Sequence, residues 1–208
     1  MSPLSSAIAK LETQVEALFN LTQRASARFR FLKPMLDNRK LIDRTESEKK
    51  GVGFTQLRSW LYWSLVLELS KLCRDTDERS PSIHAIRKKL ANDAALVQAL
   101  EDTYAKNNRE MFDEAALRTE FRNIWKRFER PLTRCSAGAS LAATELFRNK
   151  LIAHNELRKD GQFHDVKDER LKYGDERALL KTLRELVTDL ALIVQNTDVE
   201  SAWNTSGQ

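Results

Sequence analysis

Apolar residues recur at steps of four and three along several separate stretches of this chain. Two clear examples are Leu117, Phe121, Ile124, Phe128 and Leu179, Leu183, Leu186, Leu190, Ile193. This spacing is the period of a helix that buries one face. The chain has only 6 Gly and 4 Pro among 208 residues, which is too few for the many tight turns of a β protein. The sequence therefore predicts an all-α helical bundle.

The apolar stripes place the predicted helices of the first half of the chain. The N-terminal helix begins at Pro3, and the polar residues 33–54 are predicted to form a connector with a short helix inside it. The next helix covers residues 55–74 and is almost entirely apolar, so we expect it to be the most buried. Trp60 and Trp63 are its predicted core anchors.

The second half of the chain continues the same pattern. Ser80 and Pro81 are predicted to cap and start a helix that contains Ile83, Ile86 and Leu90. The remaining predicted segments are helices over 112–130 and 136–155, a loop over 156–174, a helix capped by Asp175, and a disordered tail from Thr197 to 208. Because no linker separates two cores, we expect residues 1–208 to form a single domain.

The chain offers little to a metal or a nucleotide. Its 2 Cys cannot form a four-thiolate zinc site, and Cys73 and Cys135 are predicted to be small buried residues. The acidic pair beginning at Asp75 lacks the ligand and glycine that a calcium loop needs. Neither a GxxxxGK[ST] nor a GxGxxG motif is present. We therefore expect no metal and no cofactor.

The sequence also predicts where the protein resides. The N-terminal segment lacks the basic and apolar regions of a secretory signal. The most apolar stretch, residues 60–73, is interrupted by Glu68 and Lys71 and is too short to span a bilayer. We expect a cytoplasmic protein without membrane contact.

Each of the 3 His follows an Arg, with four or five residues between them. Context separates the three pairs. The pair that ends at His84 spans a proline at a helix start, and the pair that ends at His164 spans a glycine in a loop. Only Arg148 and His154 lie within one predicted helix, with the polar Asn149 directly after the Arg. This pair is the strongest candidate for chemistry.

Helical geometry places Arg148 and His154 on either side of the apolar arc that holds Phe147 and Leu151. Burying polar groups at such a border costs free energy unless they have an interaction partner. That partner is a neighbouring helix, a second subunit or a substrate. The alternative is that His154 is a structural residue that only donates a hydrogen bond.

The segment RNKLIAHNE resembles the signature of the HEPN superfamily, all-α domains of prokaryotic defence and toxin–antitoxin systems. LELSKLCRD, SPSI and LKYGD are similar, in the same order, to the abortive-infection AbiU-type branch. The resemblance covers roughly residues 55–195. It implies a HEPN-like four-helix core there, to which residues 1–54 add an N-terminal helix and connector.

The resemblance implies a metal-independent endoribonuclease that acts as a homodimer, with Arg148, Asn149 and His154 facing their copies across the interface. It also implies RNA as substrate and an antitoxin protein as a further partner. The residue types suit that chemistry, since imidazole titrates near neutral pH and a guanidinium can bind a charged phosphorane. The alternative is a non-catalytic interaction or nucleotide-binding module that partners a toxin or nucleotidyltransferase.

Positive charge is concentrated in two places within the net +5. Residues 24–50 hold nine Lys or Arg against four acids. A basic ridge, with one member at every fourth position, consists of Arg118, Arg122, Lys126 and Arg130. Arg118, Arg122, Lys126 and Lys150 are the predicted RNA contacts. The alternative for the ridge is an ordinary solvated helix face.

Three further polar residues are candidates to support the site. Glu68 lies in the most apolar helix, where it either pairs with Arg148 or Arg74 or faces the surface. Arg74 and Asp75 match polar positions of the AbiU-type pattern, although a local salt bridge and a helix cap explain them as well.

Overall fold

The computed structural model describes residues 3–47, 52–110, 112–130 and 174–205, and every regular element in these ranges is a helix. The helices are α1 Pro3–Asp37, α2 Arg39–Ser47, α3 Val52–Arg74, α4 Ile83–Ala91, α5 Ala94–Asn108, α6 Glu114–Glu129, α7 Asp175–Gln195 and α8 Glu200–Thr205. The all-α prediction is confirmed. The helix predicted over 136–155, Cys135 and nearly all of the loop predicted over 156–174 lie outside the described residues.

The chain forms two compact units. Unit 1 consists of residues 1–23, 71–131 and 182–208, and unit 2 consists of residues 24–70 and 132–181. The boundaries between the two units fall inside helices α1, α3 and α7. The expectation of a single domain over residues 1–208 stays a prediction.

The core of unit 1 includes the contact of α5 with α6. The buried side of α6 carries the predicted stripe of Leu117, Phe121, Ile124 and Phe128. The ring of Phe121 lies 5.8 Å from that of Tyr104 on α5, measured between centroids. Helix α6 ends at Glu129, just ahead of Pro131, which agrees with the predicted end.

Helix α5 was not predicted from the sequence, although its signals are local. Asp93 is the N-cap, and its carboxylate accepts a hydrogen bond from the Leu96 N–H at 2.9 Å. Leu96, Leu100 and Tyr104 are buried at successive steps of four. A cap followed by this stripe would have been sufficient to predict the helix.

Helix α4 begins two residues later than predicted. Its N-cap is Ser82, whose hydroxyl accepts from the Ala85 N–H at 3.1 Å and donates to the Asp75 carbonyl at 2.6 Å. Ser80 instead belongs to the preceding turn, where its N–H donates to the Asp77 carbonyl at 2.8 Å. The predicted cap at Ser80 was therefore wrong, because that residue is already used to close the turn.

Helix α7 is bounded at each end by a residue with a positive φ angle. Gly174 has φ of +111°, which L side chains rarely adopt, and its carbonyl accepts from the Arg177 N–H at 3.1 Å. Asp175 is thus the first residue of the helix and not its cap as predicted. At the other end Asn196 has φ of 51°, and the Thr197 N–H donates to the Ala191 carbonyl at 3.2 Å.

The tail predicted to be disordered from Thr197 is structured up to Thr205. Helix α8 brings the indole of Trp203 against the ring of Phe19, with 4.9 Å between the centroids. The indole N–H donates to the Thr188 hydroxyl at 3.0 Å, and the Arg184 guanidinium lies 5.6 Å from the ring centroid. These contacts leave Trp203 9% exposed, so the prediction was wrong for residues 197–205.

The connector predicted over residues 33–54 is largely helical. Helix α1 continues through Pro34 to Asp37, and α2 follows almost at once. Leu32 is 1% exposed just before the proline, and an ion pair of 2.7 Å between Lys33 and Asp37 spans it. The burial of Leu32 and this ion pair together offset the free-energy cost of the backbone hydrogen bond that Pro34 cannot donate.

Helix α3 shows which side of an apolar helix is buried. Its buried residues in unit 2 include Tyr62, Leu65, Val66 and Leu69. Trp60 was predicted to be a core anchor, but it is 71% exposed. It precedes Leu69 by nine residues, which puts it on the opposite side of the helix. Trp63 is only partly buried.

Candidate functional site

The residues of the candidate catalytic motif lie outside the described part of the chain. They are Arg148, Asn149, Lys150 and His154. Their roles therefore stay predictions. The structure does place the other residues that the sequence singled out, namely Glu68, Arg74, Asp75, Arg118, Arg122 and Lys126.

Glu68 forms an ion pair within unit 2. Its Oε2 accepts a hydrogen bond from Nη1 of Arg28 on α1 at 2.6 Å, and its side chain is 18% exposed. The sequence offered Arg148 or Arg74 as its partner and did not suggest Arg28. Nothing local could have indicated this pair, because 40 residues separate the two positions.

Asp75 organises the turn between α3 and α4. Its carboxylate accepts from the Asp77 N–H at 3.1 Å, while its carbonyl accepts from the Ser82 hydroxyl at 2.6 Å. This geometry agrees with the local cap that the sequence left open as an alternative. Arg74 is the last residue of α3 and is partly buried. Buried Cys73 beside it agrees with its prediction as a small core residue.

Arg118 is held by three carboxylates. Its guanidinium lies 2.8 Å from Asp102, 2.9 Å from Glu114 and 3.8 Å from Glu101. Arg122, one turn further along α6, lies 3.0 Å from the same Glu101 oxygen. The first half of the basic ridge therefore joins α6 to acidic residues of α5, and its positive charge is offset.

The second half of the basic ridge differs from the first. Lys126 and Arg130 are exposed and form no ion pair with any residue that the structure describes. The side chain of Arg122 is itself 63% exposed despite its ion pair with Glu101. Positive charge open to solvent is thus concentrated toward the C-terminal end of α6.

A second group of unit 1 lies on the other side of α6. The guanidinium of Arg127 lies 2.7 Å from the carboxylate of Asp189 on α7. Arg127 also lines an open groove of about 620 Å³, together with Ala116, Thr119 and Leu192. Burial raises the pKa of the Asp189 carboxyl above its ordinary value of 3.8, although the hydrogen bond and charge of Arg127 oppose that shift.

We expect Asp189→Asn to gain stability relative to the parent protein as the pH rises from about 4 to about 7. A raised pKa means that the folded state binds the proton more tightly than the unfolded state. The contribution of Asp189 is therefore largest below the unfolded pKa and is lost as the pH rises through the folded one. Urea unfolding at several pH values measures the difference.

The matched control is Asp102→Asn. Hydrogen bonds from Arg118 and Gln98 lower the pKa of Asp102, so its stabilising contribution is present at neutral pH and is lost on acidification. The two variants should therefore respond to pH in opposite directions. A common direction for both would contradict the assignment of Asp189 as a buried, costly charge.

Unit 2 contains a further ion pair that the sequence did not indicate. Arg177 of α7 pairs with Asp37 of α1, and its guanidinium carbon lies 6.0 Å from the Phe29 ring centroid. A hydrogen bond from Lys33 lowers the pKa of Asp37, and Arg177 adds to the effect. Asp37 therefore remains ionised under ordinary conditions and links two helices of the unit.

Two properties of the described ranges bear on ligands and membranes. These ranges contain no group of three or more His, Cys, Asp or Glu side chains able to hold a metal ion. Within the same ranges no helix is sufficiently long and apolar to cross a membrane.

Comparison with known proteins identifies a family. The family model described as AbiU2, of the HEPN type, matches residues 8–206. The match includes the RNKLIAHNE segment and extends well beyond residues 55–195, over which the sequence resemblance was drawn. No curated protein and no solved structure is significantly similar to the chain.

Proposed function

Since the chain belongs to the AbiU2 family of HEPN domains, an abortive-infection family of phage defence, we propose that it is a metal-independent endoribonuclease. The family match over residues 8–206 is the observation that carries this proposal, because it spans Arg148 and His154. HEPN families often contain ribonucleases. The described helices do not include the motif, so the assignment of roles rests on the motif's chemistry.

The proposed reaction begins at a ribose 2′-hydroxyl of the substrate. His154 removes its proton, the 2′-oxygen attacks the adjacent phosphorus, and the bond from phosphorus to the 5′-oxygen breaks. The leaving oxygen takes a proton from a second imidazole. The products are a 2′,3′-cyclic phosphate and a free 5′-hydroxyl, so no water and no metal take part in the cleavage step.

Arg148 and Asn149 have separate roles in this proposal. The guanidinium of Arg148 binds the phosphoryl oxygens, whose negative charge grows in the transition state. Asn149 orients the imidazole or the phosphate. Because the motif supplies one imidazole per chain, the second comes from the partner's His154 across a homodimer interface.

Incubating the protein with RNA in EDTA tests the proposal. We expect cleavage to continue and the fragments to carry 2′,3′-cyclic phosphates and 5′-hydroxyls. Absence of cleavage over a range of RNAs would contradict the proposal. It would leave the non-catalytic interaction or nucleotide-binding module, which partners a toxin or a nucleotidyltransferase, as the alternative to pursue.

We propose Arg122 and Lys126 as phosphate contacts because both are exposed, although Arg122 also pairs with Glu101. The Arg118 guanidinium is less available, because it lies 2.8 Å from Asp102 and 2.9 Å from Glu114. Replacing Arg122 and Lys126 by Gln should reduce the salt dependence of RNA binding. For single-stranded RNA, the slope of log K against log salt should fall by about 0.7 for each phosphate that is no longer neutralised. Fluorescence anisotropy over a salt series measures the slope.

A charge-matched control is the double change of Lys106 and Arg109 to Gln. Both residues are exposed in the same unit but lie outside the ridge. An equal reduction of slope in the control would mean that overall charge, and not the ridge, sets the salt dependence.

A further inference from the structure

Unit 2 exposes two aromatic side chains on separate helices. Phe31 of α1 is 64% exposed and Trp60 of α3 is 71% exposed. Aromatic residues usually bury most of their surface, since each contributes a large apolar area. Core packing therefore does not explain why unit 2 carries two exposed aromatic side chains.

Phe31 belongs to the most basic part of unit 2. Residues 24–47 contain seven Lys or Arg and three Asp or Glu. Two of the three acids are already used, since Asp37 pairs with Lys33 and Arg177, and Asp43 pairs with Arg39 at 3.2 Å. Three cations form no ion pair with a described residue, namely Arg24, Arg30 and Lys40.

The ion pair between Arg28 and Glu68 relates the two helices that carry the aromatic residues. Phe31 follows Arg28 by three residues, which is about 4.5 Å along α1 and about 60° around it. Trp60 precedes Glu68 by eight residues, which is about 12 Å along α3 and about 80° around it. Phe31 thus lies on the same half of α1 as Arg28, and Trp60 lies on the same half of α3 as Glu68.

We propose that this aromatic–basic surface, defined by Phe31, Trp60, Arg24 and Lys40, binds single-stranded RNA. The aromatic rings stack on unpaired bases, while the cations lie along the phosphates. The choice of RNA as ligand rests on the proposed function. The surface itself is new to that proposal, because it uses neither the catalytic motif nor the ridge on α6.

Charge favours RNA over a second copy of the chain as the occupant. At a two-fold interface the same surface meets itself, so the excess positive charge of residues 24–47 would face an equal excess. Like charges brought together in this way repel one another. A polyanion is attracted to the same surface, and its bases supply the flat partners that exposed rings accept.

The test measures RNA binding in a His154→Ala background, so that cleavage does not consume the probe. The probe is a fluorescein-labelled, unstructured RNA of about 12 nucleotides, within the range that single-strand sites cover. Anisotropy titrations in EDTA should show that Trp60→Ala and Phe31→Ala each weaken binding about 5- to 150-fold. Trp60→Phe should retain most of the affinity, because a ring remains for stacking.

Three controls separate stacking from other causes. Phe112→Ala removes a 61% exposed ring from unit 1 and should leave the affinity unchanged. Leu57→Ala removes exposed apolar surface from α3 without removing a ring, and it should also have little effect. A duplex RNA of equal length should bind with an affinity that does not depend on Trp60.

Unchanged affinity in both aromatic variants would overturn the proposal. So would sedimentation data showing that the two substitutions convert a dimer to a monomer, because the surface would then bind a second copy. If the wild-type protein binds through Trp60 but cleaves no RNA, the proposed function fails and the surface stands. If it cleaves RNA with no contribution from Trp60 or Phe31, the proposed function stands and the proposal of the aromatic–basic surface fails.

Discussion

Replacing His154 by Ala should lower the rate of metal-free RNA cleavage by about 10²- to 10⁴-fold, the usual contribution of a general acid or base. The proposed reaction needs a group that takes the 2′-hydroxyl proton near neutral pH. Among the side chains of the RNKLIAH segment only imidazole titrates in that range. Quantifying cyclic-phosphate ends against time, with EDTA present, measures the change.

His84→Ala is the matched control for this experiment. His84 also follows an Arg at a short distance, but it is exposed on α4 within unit 1. Its replacement should leave the cleavage rate unchanged. If His154→Ala retained full activity, or if His84→Ala reduced the rate as much, the assignment of the catalytic imidazole would be wrong.

Replacing Phe121 by Ala should lower the free energy of unfolding by about 3–5 kcal/mol. Phe121 is 1% exposed and its ring lies beside Tyr104, so its removal opens a cavity between α5 and α6. The total free energy of unfolding of a native protein is about 5–15 kcal/mol, so the expected loss is a large fraction of it. Urea denaturation followed by circular dichroism measures the change, and Phe121→Leu provides a milder variant.

Phe112→Ala is the control for this measurement. It deletes the same side chain from an exposed position in the same unit and should change stability by less than about 0.5 kcal/mol. A loss below about 1 kcal/mol in Phe121→Ala would mean that the surrounding helices close the cavity or that the ring contributes little packing.

The helices that could be predicted from the sequence are those whose signal is local. The stripes of α6 and α7 were confirmed residue by residue, because a four-three period directly marks the side of a helix that is buried. The missed α5 also carries a local signal, a cap and a stripe. The resemblance to HEPN domains was confirmed and proved to extend over almost the whole chain.

The features that could not be predicted depend on tertiary contacts. Helix α3 is apolar on nearly every side, so its sequence does not say that Leu69 is buried and Trp60 exposed. The pair of Arg127 and Asp189 joins positions 62 residues apart, and nothing near either residue specifies the other. The candidate catalytic residues were identified from a short motif. The sequence gives their residue types and spacing, but it does not give their arrangement in space.

We expect the docking of Trp203 to protect residues 197–205 from proteases. A carboxypeptidase that trims the chain back to Asn196 would remove the indole that contacts Phe19 and Arg184 in unit 1. Digestion should therefore slow sharply at helix α8, where each further cut requires the helix to detach first. A protein tagged or shortened at this end should be checked for the same loss of protection.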